Sequence, residues 1–368
     1  MKKKHIVIDA RIRPASTGRP VDRLLEQLQL QDDTYIYTVI VGKKDDWKPK
    51  AKHMRVVRTR FPIFSFTLLN QLLSAKQLYS LKPDLVYFTL TPQQPLFYFG
   101  KQITLTHDLT MLNYVRAGRL PAWAHALRMR GYRLLLWSAH RRAKHIIVPS
   151  DYVKDAITKY HLFTNRKTTR VYEASDGELG GKPLEPENPP KNFIVHVGSP
   201  FPHKNIERLV EAFGLLKEHH ADLSLVLVGK QEYYFKKLEA WARQKPYADA
   251  LHFTGFVPDA ELKWYYQNAK AYVLPALSEG FGLPGLEAMA HGCPVVSSNA
   301  TCLPEIYGSA AHYFDPEDIH DIAKSIDEVL SSPQLQQKLV TAGTEQLKNY
   351  SWSKWAKGNL EVIKKSVD

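Results

Sequence analysis

Two carboxylates flank a loop rich in glycine and proline in the C-terminal half of the chain. Glu279 and Glu287 are eight positions apart within residues 278–292. The apolar run 271–275 before them has the β-branched and aromatic content of a buried strand, and Pro284 suits the first turn of a helix, where its missing N–H costs nothing. The sequence therefore predicts a strand, a glycine loop and a helix start in succession.

The loop also has the chemistry of an anion site. Gly280, Gly282 and Gly285 carry no Cβ to keep a ligand from the backbone, and the N–H groups at the helix start attract a diphosphate. We expect Glu287, in the first turn, to face ribose hydroxyls and Glu279 to accept hydroxyls of a sugar. The alternative is that Glu287 only complements the helix dipole and that the glycines only form a tight turn.

The whole string resembles a known signature. Residues 279–296 are EGFGLPGLEAMAHGCPVV, similar almost letter for letter to EGFGLPxLEAMAxGxPVV of retaining GT-B glycosyltransferases of family 4, glycosyl transferases group 1. The resemblance implies an α/β fold with two Rossmann-like domains facing across a cleft, and a nucleotide-diphosphate sugar as donor. The positions it assigns to donor binding here are Glu279, Gly280, Phe281, Gly282, Leu283 and Glu287.

A second junction between a predicted strand and a predicted helix carries a positively charged side chain. Lys204 follows a predicted strand and matches the family lysine that binds the donor diphosphate, where a fixed ammonium stabilises the charge of the leaving group. The alternative is a surface lysine. Ser199, which is also assigned to the donor, and His203 stand where many relatives have arginines. This implies that fewer positive charges hold the donor phosphates here, or that another residue supplies part of that charge. Phe256 and Val257 resemble the family loop that contacts the nucleotide base.

The N-terminal half resembles the family more loosely, at residues 8–11, 17–19, 107–108 and 148–150. Gly18 would let the backbone approach the donor phosphates. His107 matches a family histidine that contacts the transferred sugar, with a structural role as the alternative.

The resemblance implies a mechanism in which the departing phosphate takes the proton of the acceptor hydroxyl and configuration is retained. His107, Lys204 and Glu279 are the catalytic residues that it implies, with no metal and no cofactor. The leading donor is GDP-mannose, and the acceptor is a glycan or lipid-linked saccharide, as in polysaccharide biosynthesis. The alternative is a non-catalytic sugar-nucleotide-binding or scaffold protein. A dinucleotide-dependent oxidoreductase is disfavoured because no Gly-x-Gly-x-x-Gly follows the first strand.

Composition indicates a globular chain of two domains, with 44% apolar residues among 368. A Pro-, Gly- and charge-rich stretch predicts a linker at 176–190, between an acceptor-binding domain at 1–175 and a nucleotide-sugar-binding domain at 191–350. Residues 351–368 resemble the closing helix of the family, which returns toward the first domain. Cys293 and Cys302 have no partners at metal-ligand spacing and are interpreted as reduced packing residues.

Strands alternate with helices, as in a parallel α/β sheet. The N-terminal strands are predicted at 5–9, 35–41, 55–58, 85–88, 102–106 and 145–148. In the second half we expect strands at 193–197, 223–228, 251–253 and 271–275, and helices at 205–219, 233–244 and 259–268.

Positive charge is concentrated in residues 1–170, which hold 31 Lys and Arg against 11 Asp and Glu, whereas the rest hold 19 against 26. A basic helical region at 121–144 either contacts anionic lipid headgroups or is simply solvated, with its aromatics in the core. The basic residues in this region and just before it are Arg116, Arg119, Arg128, Arg130, Arg133, Arg141, Arg142 and Lys144.

No nucleic-acid motif is present. The lack of an apolar run of about 20 residues predicts a cytoplasmic protein, with peripheral contact at the inner membrane face as the membrane hypothesis.

Overall fold

The computed structural model describes residues 3–14, 18–63, 67–114, 121–175 and 181–367. Thr17, Arg116, Arg119 and the first five residues of the expected linker lie outside these ranges. No helix of the described part is both long and apolar enough to cross a membrane.

The chain divides into two compact units. Met1–Asn113, Ala117–Glu173 and Trp352–Asp368 form the first, and Tyr114–Arg116 with Ala174–Ser351 forms the second. Each unit has its own parallel sheet, which confirms the predicted class of two parallel α/β domains.

The first unit contains a seven-stranded parallel sheet with the order β3-β2-β1-β4-β5-β6-β7. Its middle strands are buried along almost their whole length, as expected when helices cover both sides of a parallel sheet. The strands are β1 (His5–Asp9), β2 (Ile36–Gly42), β3 (Met54–Thr59), β4 (Leu85–Phe88), β5 (Gln102–Leu105), β6 (His145–Val148) and β7 (Thr168–Arg170). The helices in this part are α1 (Arg19–Gln31), α2 (Leu68–Ser80), α3 (Thr110–Asn113), α4 (Ala122–Arg142) and α5 (Asp151–Tyr160).

The second unit contains a six-stranded parallel sheet with the order β10-β9-β8-β11-β12-β13. The strands are β8 (Phe193–Val197), β9 (Ser224–Val228), β10 (Leu251–Gly255), β11 (Ala271–Leu274), β12 (Val295–Ser298) and β13 (Ala311–Phe314). The helices are α6 (Ile206–Leu216), α7 (Tyr233–Ala242), α8 (Asp259–Asn268), α9 (Leu283–Ala290), α10 (Leu303–Tyr307), α11 (Ile319–Leu330) and α12 (Pro333–Leu347). Cys293 and Cys302 are free and buried.

The last helix, α13 (Trp352–Val367), packs within the first unit. Asn359 is fully buried there and accepts a hydrogen bond from the Tyr87 hydroxyl at 2.5 Å. Lys101 and Lys144 donate to the carbonyls of Val367 and Ser366 at the end of the same helix. Lys144 therefore caps α13, where a cation complements the C-terminal dipole.

Both sheets reverse their strand order at one point, between β1 and β4 in the first unit and between β8 and β11 in the second. In open α/β sheets, ligands bind beyond the carboxyl ends of the strands at such a switch point. The segments that follow these four strands are therefore where chemistry is expected.

Candidate active site

The loops that leave β8 and β11 are tied together by one asparagine. Asn205 has a positive φ of 60°, ends a 3₁₀ turn at Pro202–Lys204 and precedes α6. Its amide nitrogen donates to the carbonyls of Pro275 (3.0 Å) and Pro316 (2.8 Å). Pro275 follows β11 and Pro316 follows β13, so the first of these bonds holds the residues that precede Asn205 beside those that follow β11.

Lys204 and Glu279 form an ion pair at this switch point. Their side chains are only 17% and 13% exposed, and the backbone N–H of Glu279 donates to the Thr301 hydroxyl at 3.2 Å. The two residues were expected to bind different ligands, Lys204 a diphosphate and Glu279 a sugar. The structure brings them into direct contact, so an anion that binds the ammonium must compete with the carboxylate.

Glu287 lies in a different place from the one expected. The helix α9 begins at Leu283, so Glu287 is its fifth residue and lies beyond the first turn. Its side chain is buried, and the Tyr266 hydroxyl donates to its Oε2 at 3.4 Å. The prediction of a first-turn carboxylate, and the alternative that it complements the dipole there, are both wrong because the helix starts one residue before Pro284.

Two loop glycines are required by an internal contact. A Cβ added to Gly282 would lie 2.5 Å from the Tyr307 hydroxyl oxygen, and one added to Gly285 would lie 2.3 Å from the same atom. The buried Tyr307 hydroxyl donates to the Gly282 carbonyl, and Gly282 has a φ of +88°. A tyrosine ring therefore fills the space that a Cβ would take at these two positions, and the expected approach of a ligand to the loop backbone stays a prediction.

Other residues of the loop also pack inward. Phe281 is buried and makes an edge contact with Tyr350, with ring centroids 5.5 Å apart. Gly280 is buried, and Leu283 is half-buried at the helix start.

The remaining donor candidates follow the ends of β8 and β10. The N–H of Gly198 donates to the Val228 carbonyl at 2.8 Å, and that of Gly229 donates to the Gly255 carbonyl at 3.0 Å, which holds three strand ends close together. Ser199 follows Gly198 and is half-buried. After Gly255, Phe256 is 71% exposed whereas Val257 is buried, so the Phe256 ring is accessible for stacking.

Two buried histidines lie near Lys204. His203 is buried with its ring stacked on Phe201, centroids 5.9 Å apart. His196 is fully buried at β8 and its Nδ1–H donates to the Val273 carbonyl at 2.8 Å. Burial lowers the pKa of His196 to about 4, although that hydrogen bond opposes the shift, and nearby Lys204 adds to the lowering. Lys204 is thus beside a neutral imidazole.

His107 is held by acceptors on both ring nitrogens. Nδ1 is 2.9 Å from Glu173 Oε1, and Nε2 is 3.2 Å from the Thr89 carbonyl, which follows β4. Burial acts to lower the pKa of His107, but the hydrogen bond and the charge of Glu173, with Asp108, raise it above its ordinary value. Both nitrogens are thereby engaged within the first unit, and sequence reasoning had no signal for Glu173, 66 positions away.

A glycine at position 18 is also required by a contact inside the protein. It immediately precedes α1, and a Cβ there would lie 2.1 Å from the Arg13 carbonyl oxygen. Backbone thus already occupies the Cβ position of Gly18, and its expected role in the approach to a phosphate stays a prediction.

Residues 182–346 match the family model described as Glycosyl transferases group 1. The E. coli O-antigen chain mannosyltransferase B is 27% identical over 297 residues, 77% of this chain and 78% of the relative. The Salmonella typhimurium O-antigen chain mannosyltransferase RfbU is 30% identical over 187 residues, about half (51%) of each chain. The protein is a glycosyltransferase whose second unit is similar to group 1 of these enzymes.

Solved structures give the fold of the glycosyltransferase. Sucrose-phosphate synthase from Thermosynechococcus elongatus superimposes with a TM-score of 0.79 at 18% identity, covering 98% of both chains. WaaG, a glycosyltransferase involved in lipopolysaccharide biosynthesis, gives 0.75 at 16% identity over 98% of this chain and 99% of its own. The fold is GT-B. Within the described residues, no three His, Cys, Asp or Glu side chains are grouped so as to hold a metal ion.

The His107–Glu173 contact predicts a pH dependence. In the folded glycosyltransferase, an NMR titration of the His107 ring should give a pKa above 6.5, and Glu173→Gln should bring it below 6.5, because burial remains while the carboxylate is lost. Since the folded pKa is the raised one, the contact stabilises the protein fully below pH 6.5, and this stabilisation is lost as pH rises through the folded value. A His107 pKa that Glu173→Gln leaves unchanged would contradict this.

The Tyr307 contact predicts a stability effect. Gly285→Ala should lower the free energy of unfolding by about 1–3 kcal/mol, because the new methyl group overlaps a buried ring. Gly42→Ala is the matched control, since no atom lies within 4 Å of its Cβ position, and we expect a change within about 0.5 kcal/mol. Urea unfolding measures both, and equal effects would refute the role of Tyr307.

Proposed function

We propose that this glycosyltransferase transfers mannose from GDP-mannose to a saccharide acceptor with retention of configuration. The observation that carries the proposal is the Lys204–Glu279 ion pair at the switch point of a group 1 domain. Relatives named O-antigen chain mannosyltransferases and an MMP alpha-(1->4)-mannosyltransferase support mannose, and their names support a glycan acceptor.

In the proposed reaction, the donor diphosphate takes the place of Glu279 beside the Lys204 ammonium. As the bond between the sugar and the phosphate loosens, negative charge grows on the leaving group, and the fixed cation stabilises it. Glu279, released from the ion pair, accepts hydrogen bonds from the sugar hydroxyls. The backbone N–H groups at the start of α9 complement the diphosphate charge.

The acceptor hydroxyl attacks the anomeric carbon on the face that the diphosphate leaves, and its proton passes to the departing phosphate. No metal or cofactor enters this proposal. Glu287 accepts the ribose hydroxyls, with its Oε2 oriented by the Tyr266 hydroxyl, and the exposed Phe256 ring stacks on the base.

The nucleotide is tested by thermal unfolding with GDP, UDP and ADP added separately. GDP at 100 times its dissociation constant should stabilise the protein by about 2.7 kcal/mol. Glu287→Ala should abolish the shift because the ribose loses its acceptor, while Glu218→Ala, an exposed carboxylate, should retain it. A shift with UDP or ADP alone would contradict a guanine donor, and no shift with any nucleotide would contradict the donor site.

The catalytic groups are tested by transfer assays with GDP-mannose. Lys204→Met should lower kcat by about 10²–10³-fold because the leaving-group charge loses its cation. Lys324→Met is the control, since that lysine is 71% exposed on α11 and should not affect kcat. NMR should show an α-linked product and EDTA should not reduce the rate; a β-linked product or a requirement for metal would refute the corresponding part of the mechanism.

We also propose that the first unit contacts an anionic membrane surface through α4. Trp123, Leu127, Leu134 and Trp137 are spaced along one face of this helix and are all exposed, Trp123 by 73% and Trp137 by 47%. The alternative that the aromatics are core is right for Tyr132, which is buried, and wrong for these two tryptophans. Exposed indoles suit the interface between headgroups and acyl chains.

Arginines of the same helix supply the positive charge. Arg130 and Arg141 are exposed on the face that carries the tryptophans, and each such cation near an anionic leaflet contributes about 1 kcal/mol. Arg142 does not belong to this set, because its guanidinium donates to the carbonyls of Leu96 (2.8 Å) and Tyr98 (2.6 Å). That part of the expected basic face is structural.

Vesicle cosedimentation tests the membrane proposal. The protein should bind vesicles of phosphatidylserine and phosphatidylcholine more tightly than phosphatidylcholine alone, and Trp123→Ala with Trp137→Ala should weaken binding by about tenfold or more because interfacial area is lost. Trp241→Ala, on α7 in the second unit, is the control. Equal binding by both variants, or no preference for anionic vesicles, would overturn it.

A further inference from the structure

Two buried histidines of the first unit have no part in the proposed reaction. His140 is in the last turn of α4, and His161 lies between α5 and the 3₁₀ helix Leu162–Lys167. Their Nδ1 atoms are 3.0 Å apart. On the other side of its ring, His140 Nε2 is 3.0 Å from the Thr106 hydroxyl oxygen. The pair therefore reaches the residue that precedes His107.

Both histidine rings are neutral at pH 7. His140 is fully buried, and burial lowers its pKa to about 3, with the charges of His161 and Lys167 adding to the shift. Burial also lowers the pKa of His161 below its ordinary value. A neutral imidazole has one nitrogen that donates a hydrogen bond and one that accepts. His140 can therefore donate either to Thr106 or to His161, but not to both.

The hydroxyl groups next to His140 decide which of the two it is. The Thr91 hydroxyl donates its single hydrogen to the Leu105 carbonyl at 2.9 Å. Thr91 must therefore accept in its short contact with Thr106, so the Thr106 hydroxyl is the donor there. Thr106 then has no hydrogen left for His140 and accepts one from Nε2–H. Nδ1 of His140 is thus the accepting nitrogen, and His161 donates to it from its own Nδ1–H.

This chain of hydrogen bonds joins the two segments that hold the His107 ring. Thr106 and His107 follow β5, whereas Thr91 follows β4, as does Thr89, whose carbonyl oxygen is 3.2 Å from His107 Nε2. Thr104 on β5 adds a further bond, from its hydroxyl to that of Thr91 at 3.1 Å. The three hydroxyls of the chain are buried, where hydrogen bonds are stronger than in water and reinforce one another. The chain therefore fixes the distance between His107 and its backbone acceptor.

We infer that His140 and His161 are positioning residues for His107. His140 donates to Thr106 and so completes the hydroxyl chain, and His161 holds His140 in the one tautomer that can do this. Both histidines act through Thr106 rather than on the substrate. The consequence for catalysis rests on the proposed function and on the predicted contact of His107 with the transferred sugar, because a displaced ring would hold that sugar in a less reactive position.

Nitrogen NMR of the histidine rings tests the direction of the chain, because it distinguishes Nδ1–H from Nε2–H. At pH 7 the wild-type protein should show Nε2–H for His140 and Nδ1–H for His161. Thr106→Val should lower the His107 pKa, since a loosened ring loses part of the hydrogen bonding that raises it. Thr106→Ser retains the hydroxyl and should leave that pKa unchanged. An Nδ1–H form of His140, or a His107 pKa unaffected by Thr106→Val, would overturn the inference.

Transfer kinetics with GDP-mannose test the consequence for the reaction. Thr106→Val and His140→Leu should each lower kcat about tenfold and change KM less than about twofold, because a misplaced group slows the chemical step more than it weakens donor binding. Thr106→Ser, and His140→Gln with its N–H donor, should retain most of kcat. Thr158→Val is the matched control, since Thr158 Oγ1 is also buried but has no hydrogen-bond partner among the described residues, and it should leave kcat unchanged. If His140→Leu does not fold, the Thr106 variants carry the test.

Equal loss of kcat in Thr106→Val and Thr106→Ser, or an equal loss in Thr158→Val, would show that the hydroxyl chain has no specific part in the reaction and would refute the positioning role. Failure of the proposed function looks different. The wild-type protein would then not transfer mannose from GDP-mannose, while the two tautomers and the dependence of the His107 pKa on the Thr106 hydroxyl would still support the positioning of His107 by this chain.

Discussion

The ion pair between Lys204 and Glu279 is the interaction on which the proposed chemistry of the second unit depends. Both side chains are largely withdrawn from water, and either charge without the other would carry a desolvation cost. The bond from the Asn205 amide to the Pro275 carbonyl holds the loops after β8 and β11 so that the charges meet. An anionic donor can therefore enter by exchange, since it supplies the negative charge that the ammonium already requires.

The strands of the two sheets illustrate how far the sequence leads. Strands at 5–9, 85–88, 145–148 and 193–197 were predicted with their observed bounds, because continuous apolar runs mark strands buried on both faces. β7 was missed because Thr168–Arg170 is short and polar. β12 and β13 were not assigned, because each has only four residues and neither is a continuous apolar run.

The sequence selects candidate site residues but does not specify their contacts. Gly282 and Gly285 of the loop were recognised. A Cβ at either position would overlap the Tyr307 side chain, more than 20 residues downstream, and no local pattern specifies that contact. Glu287 was placed in the first turn because Pro284 was taken as the helix start, and a shift of one residue moved the carboxylate into the interior. Glu173 reaches His107 only through tertiary structure.

Each switch point has a carboxylate paired with a cation, Asp9 with Arg11 in the first unit and Glu279 with Lys204 in the second. The surroundings of the two pairs differ. In the first unit, Arg11 bonds Asp9 and also the carbonyls of Pro62 and Gln93, so every partner would have to be replaced before a ligand could use its charge. In the second unit, Lys204 has a single hydrogen-bond partner among the described residues, Glu279. One exchange is enough to transfer that ammonium from a carboxylate to a phosphate. The number of partners, rather than the presence of a cation, thus separates a residue that fixes the fold from one that is available to bind and stabilise a leaving group.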